Sequence, residues 1–193
     1  MLGPLDHAST TEYASPSELE AGLAWIGQSP SQAGRLELIV RRPAEEQREV
    51  LDEGVLSCSE GLVGDTWQFR GSTSSPDGGP NPGRQLTLMN SRVAALVARR
   101  TDRMQLAGDQ LFVDFDLSVE NAPPGTRLAI GTAVVELTEE PHLGCAKFVE
   151  RFGQDAMRFV NSALGRRLRL RGANARVVGP GSIRVGDSVL KQL

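Results

Sequence analysis

The ten residues LFVDFDLSVE, 111–120, constrain the chain more than any other stretch. Leu111, Val113, Phe115, Leu117 and Val119 fall on one side, and Asp114, Asp116, Ser118 and Glu120 on the other. A period of two separates the sets on extended backbone and mixes them on a helix, so this is a strand with one buried face. The same habit recurs in RLELIVRR (35–42), in TRLAIGTAVVELTEE (126–140), read as one strand or two joined at Gly131, and in SIRVGDSVL (182–190). RLRLRGANARVV (167–178) also reads as strand, with Arg167, Arg169 and Arg171 on one face. Turn formers separate these runs: Gly64-Asp65, APPG at 122–125, Gly179-Pro180-Gly181 and Gly186-Asp187.

Helical patterns are fewer. Ser17 is expected to cap a short helix carrying Leu19, Leu23 and Ile26 and stopped by Gly27 and Pro30. RQLTLMN (84–90) reads as a strand running into a helix capped by Asn90, with Val93, Leu96 and Val97 turned inward. CAKFVERFG is expected to form two turns ending at Gly153, and QDAMRFVNSALG a further helix stopped by Gly165. Strands mostly follow strands, so the expected fold is mainly β: a closed or nearly closed β-barrel with a few short α-helices, not a βαβαβ parallel sheet. Residues 1–16 read as a loose arm, and GSTSSPDGGPNPG (71–83) as a mobile loop, either a substrate lid or a plain linker.

With 193 residues, one domain is expected. No run approaches the roughly 20 apolar residues of a membrane span, and the first residues lack a secretory signal, so a cytoplasmic location is expected. The net charge of −3 argues against a broad nucleic-acid surface and leaves room for a local arginine pocket for a small anion. Two cysteines do not suggest a disulfide framework.

Cys145 lies in PHLGCAKF, 141–148, at the expected start of a helix. Unpaired N–H groups and the positive end of the dipole favour an anionic sulfur there. Lys147 adds positive charge if its side chain folds back, Gly144 leaves room for a ligand, and His142 stands within reach as a proton donor. Two other readings stand beside this one. Cys145 is a small buried hydrophobe, or it joins His142, Cys58 and His7 in a zinc site, although their spacing matches no zinc motif. Cys58, in the polar turn LSCSEG, has no assigned role.

PHLGCAKFVERFG, AGDQLFVDFDLS, PPGTRLAIGTAVVELT and LRLRGANARVVGPGSIRVGDSV resemble the MOSC domain, found at the C-terminus of molybdenum cofactor sulfurases, in its small stand-alone bacterial form. GLVGDTW and RQLTLMN match earlier segments, and the resemblance runs from about Gly34 to Leu190. It implies an N-terminal extension at 1–33 and a MOSC β-barrel at 34–193. It implies that Cys145 is the key residue, as a ligand of molybdenum or as a persulfide carrier. Reduction of N-hydroxylated or N-oxygenated small molecules on a molybdenum cofactor (molybdopterin) is the activity it suggests, and sulfur delivery for metal–sulfur cofactor assembly is the alternative. His142 and Lys147 are then catalytic candidates beside Cys145. Arg84, Arg169, Arg171 and Arg176 are candidates to hold the cofactor's phosphate, with solvated strand residues as the other reading; Asp65 and Asp109 are candidates to orient them or the substrate, or are ordinary turn residues. The family's Gly-acid-Asn motif stands here as Gly108-Asp109-Gln110, one methylene longer. The sequence shows no pyridoxal-phosphate desulfurase and no ferredoxin segment, so a cysteine desulfurase or an electron-donor protein is the expected partner, with the chain a monomer or homodimer.

Overall fold

The computed structural model describes residues 13–71, 75 and 78–192. Seven strands close into a barrel: β1 (Ala33–Arg41), β5 (Leu86–Asn90), β6 (Leu111–Asp114), β7 (Arg127–Ile130), β8 (Ala133–Leu137), β9 (Ala173–Gly179) and β11 (Ser188–Gln192). The order around the barrel is β11-β7-β8-β9-β5-β6-β1, and β1 pairs back to β11. A short β2 (Glu49–Leu51) extends β1 as a hairpin. A separate three-stranded sheet joins β10 (Gly181–Arg184), β3 (Glu53–Ser57) and β4 (Gly61–Leu62). Closure removes the barrel's free edges. It requires β1 to run between β11 and β6, where a Cβ on Gly34 would sit 2.2 Å from the Asp114 carbonyl oxygen; only glycine fits.

Helices α1 (Pro16–Ile26), α2 (Ser91–Ala98), α3 (Ala146–Asn161) and α4 (Ala163–Arg167) complete the chain. The inward residues of the strands fill the barrel, among them Leu36, Leu88, Leu111, Val113, Leu128, Val135 and Ala175. A second core lies outside the wall, where Val40, Met89 and Phe112 meet Leu19, Val93, Phe148, Phe152 and Val160 of the helices. Both faces of β5 and β6 are thus covered, and Phe112, the apolar residue that breaks the alternation at 111–120, is the one that faces the helices. All barrel pairs are antiparallel except β5 with β6, which α2 joins as one βαβ unit. Gln110 is wholly buried at the entry to β6, where its Oε1 accepts from the Thr87 N–H (2.9 Å) and hydroxyl (2.7 Å), tying β6 to β5.

Several local expectations change. Ser15, not Ser17, caps α1, in a reciprocal arrangement with Glu18 that satisfies two orphan N–H groups. Regular pairing stops at Asp114, although Phe115 and Leu117 continue inward. The 126–140 run is two strands joined at Gly131. CAKFVERFG and QDAMRFVN form one kinked helix: Gly153 adopts φ 87°, and its bare Cα packs under the Tyr13 ring. Gly165 lies within α4, which Ser162 caps. RLRLR is not a strand. It leaves α4 through Arg169 at φ 48° and Gly172 at φ 106°, so Arg167 is exposed, Arg169 half-buried and Arg171 buried. Of the expected arm at 1–16, residues 1–12 lie outside the described residues, as do 72–74 and 76–77 of the loop at 71–83; residues 13–16 are not loose, since Ala14 is buried, Ser15 caps α1 and Tyr13 donates to the Glu150 carbonyl.

Candidate active-site cleft

Cys145 is the N-cap of α3, with extended backbone and an exposed side chain; its carbonyl accepts from Phe148 N–H at 2.9 Å. The segment leading to it is pinned at three places. Arg84 and Asn81 donate to the Glu140 carboxylate at 2.7 and 3.1 Å. Buried Asn174 donates to the Glu140 and Pro141 carbonyls at 3.1 and 3.2 Å. The Asn161 amide accepts from Gly144 N–H at 3.0 Å and donates to the Gly144 carbonyl at 3.3 Å. The backbone on the N-terminal side of Cys145 is therefore held by side chains from α3 and β9.

The thiol opens on a cleft of roughly 670 Å³. Arg42, Arg48, Arg70, Lys147, Arg151 and Arg171 line it, against the carboxylates of Glu45 and Glu46. Two Gly-Asp turns orient two of these cations from behind. Asp65 grips Arg42 with two bonds of 2.8 Å, and Asp109 accepts from Arg171 at 2.6 Å; both carboxylates are buried. The Arg171 guanidinium also lies over the Phe148 ring, 5.1 Å from its centroid, on the first turn of α3. Behind it, His142 Nε2 stands 3.4 Å from Asp109 Oδ1, too far for a well-formed hydrogen bond. Burial, then the nearby Arg171 charge, lowers the His142 pKa to about 3, so the ring is neutral at pH 7.

Arg48 and Arg70 have no acidic partner among the described residues. Burial, reinforced by repulsion from Arg151 and Arg42, lowers the pKa of Arg48; burial and Arg42 do the same for Arg70. Three buried side-chain atoms lack a hydrogen-bond partner among the described residues: Arg48 Nε, Arg171 Nε and Asp109 Oδ1. Two belong to arginines that line the cleft and the third to the carboxylate behind one of them. Cationic side chains grouped along one cleft suit an anionic ligand.

Of the residues singled out from sequence, Cys145, Lys147 and Arg171 line this cleft, and Asp109 and His142 lie behind Arg171. Lys147 does not fold back on the sulfur; it reaches across to Glu46. The other three arginines are placed elsewhere. Arg84 pairs with Glu140, Arg176 with Glu136 on the barrel surface, and Arg169 donates to the carbonyl of Ala122 at 2.5 Å. Arg42, Arg48, Arg70 and Arg151 were not singled out. The i,i+4 spacing of Lys147 and Arg151 on one helix was the only readable signal among them. Cys58 lies in the turn after β3, where its carbonyl accepts from Gln85. Among the described residues no three His, Cys, Asp or Glu side chains group to hold a metal; His7 of the zinc reading lies outside them. No helix among them is long and apolar enough to cross a membrane.

The fold resembles solved structures. YuaD from Bacillus subtilis superposes with a TM-score of 0.61 at 18% identity, covering 81% of this chain and 94% of that one. YiiM from Escherichia coli gives 0.50 at 18% identity, covering 82% and 70%. At such identities the likeness speaks for the fold alone. A search of curated proteins finds no match. A scan against protein families matches residues 75–190, more than half of the chain, to the MOSC domain. The barrel also takes in β1, before residue 75, which pairs with β11 and β6. The chain is a member of the MOSC domain family.

Proposed function

We propose that this MOSC protein binds a molybdenum cofactor in the arginine-lined cleft, with Cys145 Sγ as the metal's protein ligand, and reduces an N-hydroxylated or N-oxygenated small molecule with electrons from a partner protein. The observation that carries it is an exposed thiol on a cleft lined by five arginines and a lysine, of which Arg48 and Arg70 make no ion pair among the described residues. The residues present fit such a group. A soft thiolate suits the metal, and a metal that arrives with its own organic ligand needs few protein donors, in keeping with a cleft that offers one thiol and many cations. Bound there, the cofactor would supply the two-electron redox centre.

The chain's own residues would do the rest. Arg48 and Arg70 hold the cofactor's phosphate, with Arg42 and Arg171 held in place by Asp65 and Asp109. Asn161 and Asn174 fix the peptide that carries Cys145. Neutral His142 serves as a packing and dipolar neighbour, not as a cationic acid. Arg84, Arg169 and Arg176 have no part in this reading, because their side chains are engaged away from the cleft.

A second reading uses the same exposure of Cys145: the sulfur carries a persulfide from a desulfurase to a metal–sulfur cofactor assembled elsewhere. Elemental analysis with pterin fluorescence separates the two, on wild type and Cys145→Ala purified from a host that makes the cofactor. Molybdenum in wild type and none in C145A supports the ligand role. Molybdenum retained in full by C145A removes it. Absence from both, with a persulfide on Cys145 after incubation with a desulfurase, favours the carrier.

A further inference from the structure

Glu46 sits at the tip of the β1–β2 hairpin loop, at φ 57°, a backbone region that residues with a side chain seldom adopt. Its two carboxylate oxygens go to different cations: Oε1 accepts from Lys147 Nζ, and Oε2 accepts from Arg151 Nη2 at 2.7 Å. Both cations line the cleft, two and six residues after Cys145. The bond from Lys147, followed by the charges of Lys147 and Arg151, lowers the Glu46 pKa, so the carboxylate is ionised. Yet the Glu46 side chain is 55% exposed, so solvent already competes for it and little packing opposes its departure.

The cleft's charges divide accordingly. Arg42 and Arg171 are neutralised by Asp65 and Asp109 in the wall. Arg48 and Arg70 make no ion pair among the described residues; Glu46 acts on Arg48, and Asp65 and Glu45 on Arg70, only from a longer distance. Arg151 is paired with Glu46 alone, and Lys147 chiefly with Glu46, from a loop tip, Glu45 standing further off at 3.7 Å. An arriving anion therefore meets two cations without an ion-paired acid while Glu46 is in place, and gains Arg151 and most of Lys147 once it has swung out.

We propose that Lys147 and Arg151 form a second anion subsite beside Cys145, that Glu46 is its resident stand-in, and that a carboxylate on the incoming substrate displaces it. The seated Glu46 carboxylate is the observation that names the chemical class: the subsite already holds a carboxylate, one oxygen to each cation. This rests on the reading above that the cleft takes an anionic cofactor, and it adds what the substrate carries. The Arg48–Arg70 pair remains for the cofactor's phosphate, and the hairpin loop opens as the substrate's acid replaces the protein's own.

The test is an NMR titration of the full chain with acetate and, separately, inorganic phosphate, on wild type, Glu46→Gln, Glu46→Gly, Glu45→Gln, Glu46→Gln/Arg151→Gln and Arg48→Gln/Arg70→Gln. Glu46→Gly also suits the left-handed backbone, so folding is not at issue. Acetate affinity is expected to tighten by roughly fivefold in both Glu46 variants, the scale of charge-assisted contacts set free near a surface. The gain should vanish in E46Q/R151Q and be absent in E45Q, because Glu45 is 88% exposed and reaches Lys147 only at 3.7 Å. No gain in the Glu46 variants, or an equal gain in E45Q, overturns the proposal, the latter because bulk charge would then explain it. Phosphate binding that is lost in R48Q/R70Q while acetate ignores Glu46 sinks the subsite and leaves the cofactor reading standing. Neither anion binding to any variant sinks both.

Discussion

Arg171 and Asp109 form a 2.6 Å ion pair with side chains 8% and 0% exposed, in the wall directly behind the cleft of Cys145. Asp109→Asn keeps the volume and removes the charge, leaving a buried guanidinium alone. Breaking a buried pair from one side costs about 3–5 kcal/mol. D109N should lose about 3 kcal/mol in urea denaturation, whereas the apolar double variant D109L/R171M should recover most of it. A D109N protein within about 1 kcal/mol of wild type means that water screens the pair.

His142 makes stability depend on pH. Its folded pKa of about 3 lies below the unfolded value, near 6.5. Between the two, the unfolded chain takes up a proton that the folded chain refuses, so stability rises with pH through that window. The contribution is whole above about pH 6.5 and declines at up to about 1.4 kcal/mol per unit as pH falls towards 3. From pH 7 to pH 5, wild type should lose about 2 kcal/mol more than His142→Asn in urea unfolding. Equal losses in the two proteins would mean that the imidazole charges inside the fold.

Asn161 holds the Gly144 peptide through both its N–H and its carbonyl. Asn161→Ala removes both bonds and should lower stability by about 1–2 kcal/mol. The sharper readout is hydrogen exchange. The Gly144 amide should exchange at least about tenfold faster once its acceptor is gone, while amides in β7 and β8 keep their rates. Unchanged exchange at Gly144 would show that Asn174 and Arg84 suffice to hold the segment.

Arg48 trades stability for binding. Its Nε is buried without a partner, and Arg151 and Arg42 repel it. Arg48→Met keeps the aliphatic stem and removes the conflict, so it should stabilise the ligand-free protein by about 0.5 kcal/mol or more. The same change should weaken inorganic phosphate binding, measured by titration. A less stable R48M would show that water or the stem's packing already satisfies the arginine.

Short-range physics was legible in the chain. Alternation at 111–120 marked β6, since burial on one face needs only a period of two. Asn90 was recognisable as the cap of α2, because a short polar side chain before an apolar stripe satisfies the first N–H groups. Cys145 was recognisable as a residue placed at a helix start beside a glycine, and the order of its flanking segments pointed to the family. RLRLR misled for the same local reason: five residues alternate perfectly, but the Ser162 cap and the left-handed turn at Arg169 and Gly172 override a pattern that short.

The charge constellation was decided only in three dimensions. Arg42 follows β1, Arg48 precedes β2, Arg70 follows a short helical turn and Arg151 lies on α3, and nothing in their neighbours distinguishes them from Arg84 or Arg176, which reach Glu140 and Glu136 instead. The pairing of β1 with β6 sets Arg42 beside Gly108, and α3 packs Arg151 against Leu106 at the same end, so the electrostatics follow from tertiary contacts, not from spacing along the chain. The sequence by itself determined that the chain is mainly strand, where α2 and α3 begin and which cysteine to watch, because caps, turns and periodicity act within a few residues. Only the tertiary structure decided which arginines surround that cysteine, which carboxylates neutralise them, and which are left to meet a ligand.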